Sequence, residues 1–179
     1  VHVYNRKINL DYITKKDEKA IEIAKKHKIK NFALSFTNSV SDIKKFNKLL
    51  PNATKIYKIE TKKTLQNISN ILKEGESFLI DRGDLSKEIG IEQIPVAQRK
   101  ILKISKKYPH KNIYIATNFL ESMIENPFPT RAEVNDIFNA LEMGSKGLVL
   151  AAETAIGKHP TECVKLIKKI ISTYKSYKP

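Results

Sequence analysis

Short apolar runs alternate with longer amphipathic stretches along most of the chain. Asn31–Phe36, Lys55–Glu60, Ser77–Asp81, Asn112–Thr117 and Gly147–Ala151 read as buried strands of a parallel sheet. Between them, apolar residues recur at the i, i+3, i+4, i+7 spacing that lines one helix face. The clearest stripe is Val134, Ile137, Phe138 and Leu141. A Thr130…Glu133 capping box opens it and Gly144 closes it. A second stripe, Cys163, Leu166, Ile167 and Ile170, is entered through Pro160, a residue suited to a helix's first turn.

Strand–helix–strand units with connections this short are right-handed crossovers, which build either a doubly wound sheet or a barrel. No Gly-rich fingerprint follows the first strand, which lowers the case for a dinucleotide fold. A closed barrel needs eight units and typically about 250 residues, and this chain of 179 residues holds about five. The expected fold is therefore α/β with about five units of parallel sheet in residues 1–179; spacing leaves both architectures open, and as a barrel the chain would be incomplete. The chain opens on Val1 rather than methionine, which predicts that the natural amino terminus lies upstream.

Composition changes this picture little. Hydrophobic residues at 41% and charged residues at 29% are ordinary for a globular protein. No apolar run approaches the roughly 18 residues that would span a bilayer, and no signal peptide is visible. The single cysteine, Cys163, excludes an internal disulfide and fits the apolar stripe of a helix, so a reducing, cytoplasmic location is expected. A net charge of +14 raises the question of nucleic acid. Only four of the 33 basic residues are arginine, and the lysines are scattered in short pairs such as Lys15-Lys16 and Lys62-Lys63. That scatter reads as a solvated surface, so neither nucleic acid nor membrane is an expected partner. His2, His27, His110 and His159 share no spacing that would bind zinc.

In both architectures ligands meet the carboxyl ends of the strands, and the chemistry-bearing residues collect there. Lys58 and Glu60 are two apart and share a strand face; buried, such a pair is costly unless used. A strand-edge ion pair explains them equally well. Asp84 follows Arg82 and Gly83 directly after a strand, and a carboxylate beside a glycine suits a hard cation. Glu60 and Asp84 on adjacent strands match the one or two carboxylates that Mg²⁺ takes from proteins. An Arg-Gly-Asp tripeptide is also a common solvated turn. Thr117 could donate to a carboxylate or phosphate, although threonine at a strand end often reflects β-propensity alone.

These residues together resemble the pyruvate kinase family. The stretch from Thr117 to Val134, reading TNFLESMIENPFPTRAEV, is similar to the family's Thr-Gln-Met-Leu-Glu-Ser-Met signature and its Pro-Thr-Arg-Ala-Glu segment. Lys58-Ile59-Glu60 matches a family Lys-Ile-Glu, and Arg82-Gly83-Asp84-Leu85 a family Arg-Gly-Asp-Leu. Glu153-Thr154-Ala155, with Gly157 and Pro160, resembles the Gly-Glu-Thr-Ala segment ending the last barrel strand. The four motifs stand in the family's order.

The resemblance implies a partial (β/α)8 TIM barrel, residues 1–179 being the later part of a catalytic barrel domain, strands four to eight. Val1–Phe36 would run from the lid domain's return up to strand four. The lid, the first barrel strands and the carboxyl-terminal regulatory domain would be absent. It implies phosphoryl transfer between phosphoenolpyruvate and ADP, giving pyruvate and ATP, in an intact glycolytic enzyme. Lys58 would be catalytic, stabilising the phosphoryl group in flight; Glu60 and Asp84 would hold Mg²⁺ or Mn²⁺. Backbone groups of Gly83 and Asp84 and the Thr117 hydroxyl would hold the substrate carboxylate, while K⁺ and most nucleotide contacts would come from the absent part. A homo-oligomer, or pairing with the missing barrel half, is the expected assembly, and the isolated chain is expected to be inactive.

The sequence departs from the family at informative places. Asp81 stands where alanine is usual, and Ala151-Ala152 replace Ser-Gly, whose serine is a candidate in the proton relay to the enolate. Asn38 replaces an arginine, Ser86 a glycine, and Tyr4-Asn5 a Pro-Gly. Asp81 and Ala151 are thus candidate tuning positions. They keep two alternatives open: a metal-dependent lyase or aldolase acting on a pyruvate enolate, and a non-catalytic homologue.

Overall fold

The structure, a computed structural model, describes residues 12–177. Its strands are each separated from the next by one or two α-helices. Helix α1 (Lys15–Lys26) precedes strand β1 (Asn31–Leu34), and α2 (Val40–Leu49) leads to β2 (Thr54–Ile59). Helices α3 (Lys62–Gln66) and α4 (Ile68–Glu74) cross to β3 (Ser77–Asp81), which runs without a loop into α5 (Arg82–Ile89). After α6 (Ile94–Ser105) come β4 (Asn112–Ala116) and α7 (Arg131–Glu142), then β5 (Gly147–Val149), the single-turn α8 (Ala152–Ala155) and α9 (Pro160–Tyr177). The Tyr4-Asn5 departure and His2 lie outside the described residues.

All neighbouring strands are parallel and stand in the order β1-β2-β3-β4-β5. This order decides between the two architectures. A doubly wound sheet reverses direction at a switch point, whereas winding that always advances to the next neighbour is how a barrel grows. Among the described residues the sheet is an open five-stranded arc with β1 and β5 at its edges.

Strand alternation separates two faces. Tyr57 and Ile59, Phe78 and Ile80, and Ile113 and Ile115 are buried and join one core with Ile43, Phe46, Ile71, Leu102, Ile137 and Ile170 of the helices. Tyr57 packs edge-on to Phe46 of α2, with ring centroids 6.3 Å apart, so this face meets the helices. Desolvation there pushes the Tyr57 phenol up to about 12, although it also donates to Asn47 Oδ1. The other face carries Lys58, Leu79, Tyr114 and Gly147 in one cross-strand row. Gly147 is required there, because a Cβ would come within 2.6 Å of the Tyr114 ring.

The predicted strands are all present; β3 keeps its expected bounds, Ser77–Asp81, and the other four are shifted at their ends. β4 stops at Ala116 rather than Thr117, because Thr117 (φ +74°) and Asn118 (φ +56°) turn into left-handed backbone. β1 stops at Leu34, two residues before Phe36 (φ +52°). Both breaks occur where the chain leaves the sheet for the carboxyl-end loops. The Thr130–Glu133 capping box is formed, and Gly144 takes the left-handed conformation (φ +95°) past the end of α7. Cys163, Ile167 and Ile170 of α9 are buried, and burial raises the Cys163 thiol's pKa, as expected of a structural cysteine. Among the described residues no helix is long and apolar enough to cross a membrane.

Candidate active site at the carboxyl ends of the strands

Lys58 lies on the face of β2 opposite the helices, and Glu60 follows one residue after the strand. Asp81 is the last residue of β3, and Gly83 and Asp84 lie in the first turn of α5. Thr117 follows β4. Parallel winding thus brings five of the sequence-predicted site residues, and the candidate tuning residue Asp81, to one end of three adjacent strands.

The carboxylates of Glu60, Asp81 and Asp84 each place an oxygen within 4.8 Å of the others. Glu60 is 1% exposed; its Oε2 accepts the Phe36 N–H at 2.6 Å. Its other oxygen, Oε1, is 2.5 Å from Lys58 Nζ but accepts no well-directed hydrogen bond. Asp84 Oδ1 pairs with Lys87 Nζ at 3.0 Å. An all-oxygen set that includes a buried carboxylate is chemically suited to a hard divalent cation.

The Lys58 ammonium lies between Glu60 Oε1 at 2.5 Å and Asp81 Oδ2 at 3.0 Å. Burial alone would lower its pKa, but the two carboxylates outweigh that and raise it above the ordinary lysine value. Lys58 is therefore a firmly charged cation, suited to hold an anion and unsuited to act as a neutral base. Asp81 is largely buried and is no solvated neighbour. Its Oδ2 meets Lys58, and its Oδ1 accepts from the Asp84 N–H at 3.4 Å, capping α5.

The Thr117 hydroxyl accepts the Gly83 N–H at 2.9 Å and donates to the Ala116 carbonyl at 2.6 Å. A β-branched residue in left-handed backbone is an outlier costing roughly 1–2 kcal/mol, which surrounding contacts must offset. Arg82 supplies such contacts, since its Nε and Nη2 donate to the Thr117 carbonyl at 3.1 and 2.5 Å. Arg82 was absent from the predicted site residues. The available signal was an arginine directly at a strand end, in a chain whose basic residues are overwhelmingly lysine.

Glu153, 1% exposed, is turned to structure. Its Oε1 accepts from the N–H groups of Phe119 and Leu120, both at 3.2 Å, and its Oε2 accepts from Ala151 N–H at 2.7 Å. It ties the loop after β4 to the end of β5. Ala151 takes part through its backbone, its N–H donating to Glu153 and its carbonyl accepting from the N–H groups of Thr154 and Ala155. Asn38 accepts a hydrogen bond from the Thr61 hydroxyl at 2.5 Å, linking the loops that follow β1 and β2.

A family model described as the pyruvate kinase barrel domain matches residues 1–164. A pyruvate kinase of Thermotoga maritima is 44% identical over 174 residues, covering 95% of this chain and 37% of its own length. One from Methanocaldococcus jannaschii is 41% identical, covering 95% of this chain and 39% of its own. One from Borreliella burgdorferi is 39% identical, covering 91% and 35% respectively. The chain thus spans well under half the length of the curated relatives it matches.

Proposed function

The chain belongs to the pyruvate kinase family, and we propose that it supplies barrel strands four to eight of an intact enzyme transferring a phosphoryl group between phosphoenolpyruvate and ADP. The observation that carries this reading is the Lys58 ammonium beside the Glu60–Asp81–Asp84 carboxylates at the strand ends. In that reaction an oxygen of the ADP β-phosphate forms a new bond to phosphorus as the bond from phosphorus to the enol oxygen breaks. The released enolate takes up a proton to become pyruvate.

Glu60 and Asp84 fit the role of holding Mg²⁺ or Mn²⁺, on the donor chemistry described above. The cation, when bound, neutralises charge between the substrate carboxylate and phosphate. Lys58, held charged and aimed by its two carboxylates, stabilises the negative oxygens of the transferring group. The Thr117 hydroxyl and the N–H groups of Gly83 and Asp84 orient the substrate carboxylate. At present these donors are engaged by internal acceptors: Gly83 N–H by Thr117, Asp84 N–H by Asp81, and the Thr117 hydroxyl by Ala116. Substrate binding exchanges those bonds rather than creating donors afresh. Ala151 and Ala152 offer no hydroxyl, so the proton for the enolate comes from elsewhere in the completed site.

The remaining barrel strands, the lid, the K⁺ ligands and most nucleotide contacts belong, on this reading, to the part of the enzyme outside this chain. That enzyme is placed in the cytoplasm, as an oligomer or with this chain paired to the other barrel half. The test is a kinase assay of the intact enzyme with Lys58→Met. Turnover should fall by several orders of magnitude, and undiminished turnover would remove the reading.

A further inference from the structure

Arg82 is enclosed and engaged on every side of its guanidinium that the described residues reach. It is 9% exposed, its guanidinium lies 4.2 Å over the Phe119 ring, and Nη1 is 2.6 Å from Asp136 Oδ2 on α7. Nε and Nη2 both turn to one acceptor, the carbonyl of Thr117. The plane is thus fixed from one face and from two edges, the arrangement that loses least freedom for a fork-shaped donor. The next residue, Gly83, gives its N–H to the Thr117 hydroxyl. Consecutive residues of one helix turn therefore hold Thr117 at its carbonyl and at its side chain. They hold it in left-handed backbone that a β-branched residue does not adopt unaided.

From this geometry we infer that Arg82 is a positioning residue acting through Thr117, with Asp136 as its anchor on α7. The assignment rests on the proposed role of Thr117 in orienting the substrate carboxylate. Arg82 itself is too enclosed to meet substrate. Its charge is matched by Asp136, and its forked donors set where the Thr117 carbonyl, and with it the hydroxyl, can be. The side chain of Asp136 is 37% exposed, so the anchor can be altered without opening the core.

The experiment is a double-mutant cycle on the intact enzyme. Arg82→Lys keeps the charge but loses the fork, and Thr117→Ala removes the hydroxyl. Each should raise KM for phosphoenolpyruvate by about tenfold, while Mn²⁺ affinity measured without substrate stays within about twofold. The double variant should be no worse than the weaker-binding single, because Arg82 then has nothing left to position. Asp136→Asn should raise KM by a few-fold in the wild-type background and not at all in Thr117→Ala. It also serves should Arg82→Lys fail to fold. Additive losses, with Thr117→Ala itself impaired, would overturn the inference and leave the proposed function standing. A Thr117→Ala enzyme with unchanged KM would overturn the inference together with the substrate-orienting role of Thr117, while Lys58→Met tests the proposed function separately.

Discussion

The Lys58 ammonium lies 3.0 Å from the carboxylate of Asp81, a residue of the neighbouring strand. Asp81 also receives the Asp84 N–H, so its two oxygens engage two of the groups proposed to receive the substrate. An internal carboxylate in that position competes with an incoming one and repels it. At an effective dielectric of about 20, two unit charges roughly 6 Å apart repel by on the order of 3 kcal/mol. Asp81→Ala in the intact enzyme, at saturating Mn²⁺, should tighten phosphoenolpyruvate binding by about ten- to a hundredfold. The gain should shrink as salt rises, and affinity unchanged at every ionic strength would place Asp81 outside the site's field.

The metal assignment separates from the catalytic one. Glu60→Gln or Asp84→Asn should weaken Mn²⁺ binding by at least about tenfold, because each removes one of very few protein ligands. Lys58→Met should leave Mn²⁺ affinity unchanged or tighter, since it removes a cation 2.5 Å from Glu60 Oε1. Direct titration of Mn²⁺ checks both, and equal affinity for wild type and Glu60→Gln would remove the site.

Completeness of the barrel governs behaviour in solution. β1 and β5 are edge strands among the described residues, and Ala33 and Val149 are exposed on them. Unpaired edges and an uncovered inner face favour association. The 179-residue polypeptide expressed alone should be inactive and should aggregate or pair with a segment completing the barrel. A monomer by sedimentation, unfolding cooperatively and turning over substrate, would contradict this.

Glu133 supplies a pH-dependent share of stability. Its carboxylate closes the α7 cap with Thr130 and also takes the Ser122 N–H at 2.7 Å and hydroxyl at 2.5 Å. Burial would raise its pKa, but these hydrogen bonds outweigh it and bring it below the ordinary 4.5. A depressed folded pKa gives stability that is present above 4.5 and lost as pH falls through the folded value. Glu133→Gln should therefore destabilise by about 1–2 kcal/mol at pH 7. In urea unfolding the difference should fade as the solution is acidified below the carboxylate range, and a constant difference would refute the assignment.

Residue spacing alone determined the five parallel strands, the Thr130–Glu133 cap, the α9 stripe and the shared face of Lys58 and Glu60. These are local properties, because strand and helix periods fix which side chains point together over a few residues. The sequence motifs by themselves also mark the family. Tertiary structure decided the rest. Winding order selected the barrel over the doubly wound sheet, and the pairing of β2 with β3 turned Asp81 onto Lys58. Arg82 meets Thr117 across 35 residues and Asp136 across 54, and Glu153 reaches Phe119 across 34. No periodicity encodes such contacts. They exist only once the sheet register and the helix packing have set where each strand end lies, and that is where a buried charge finds its partners.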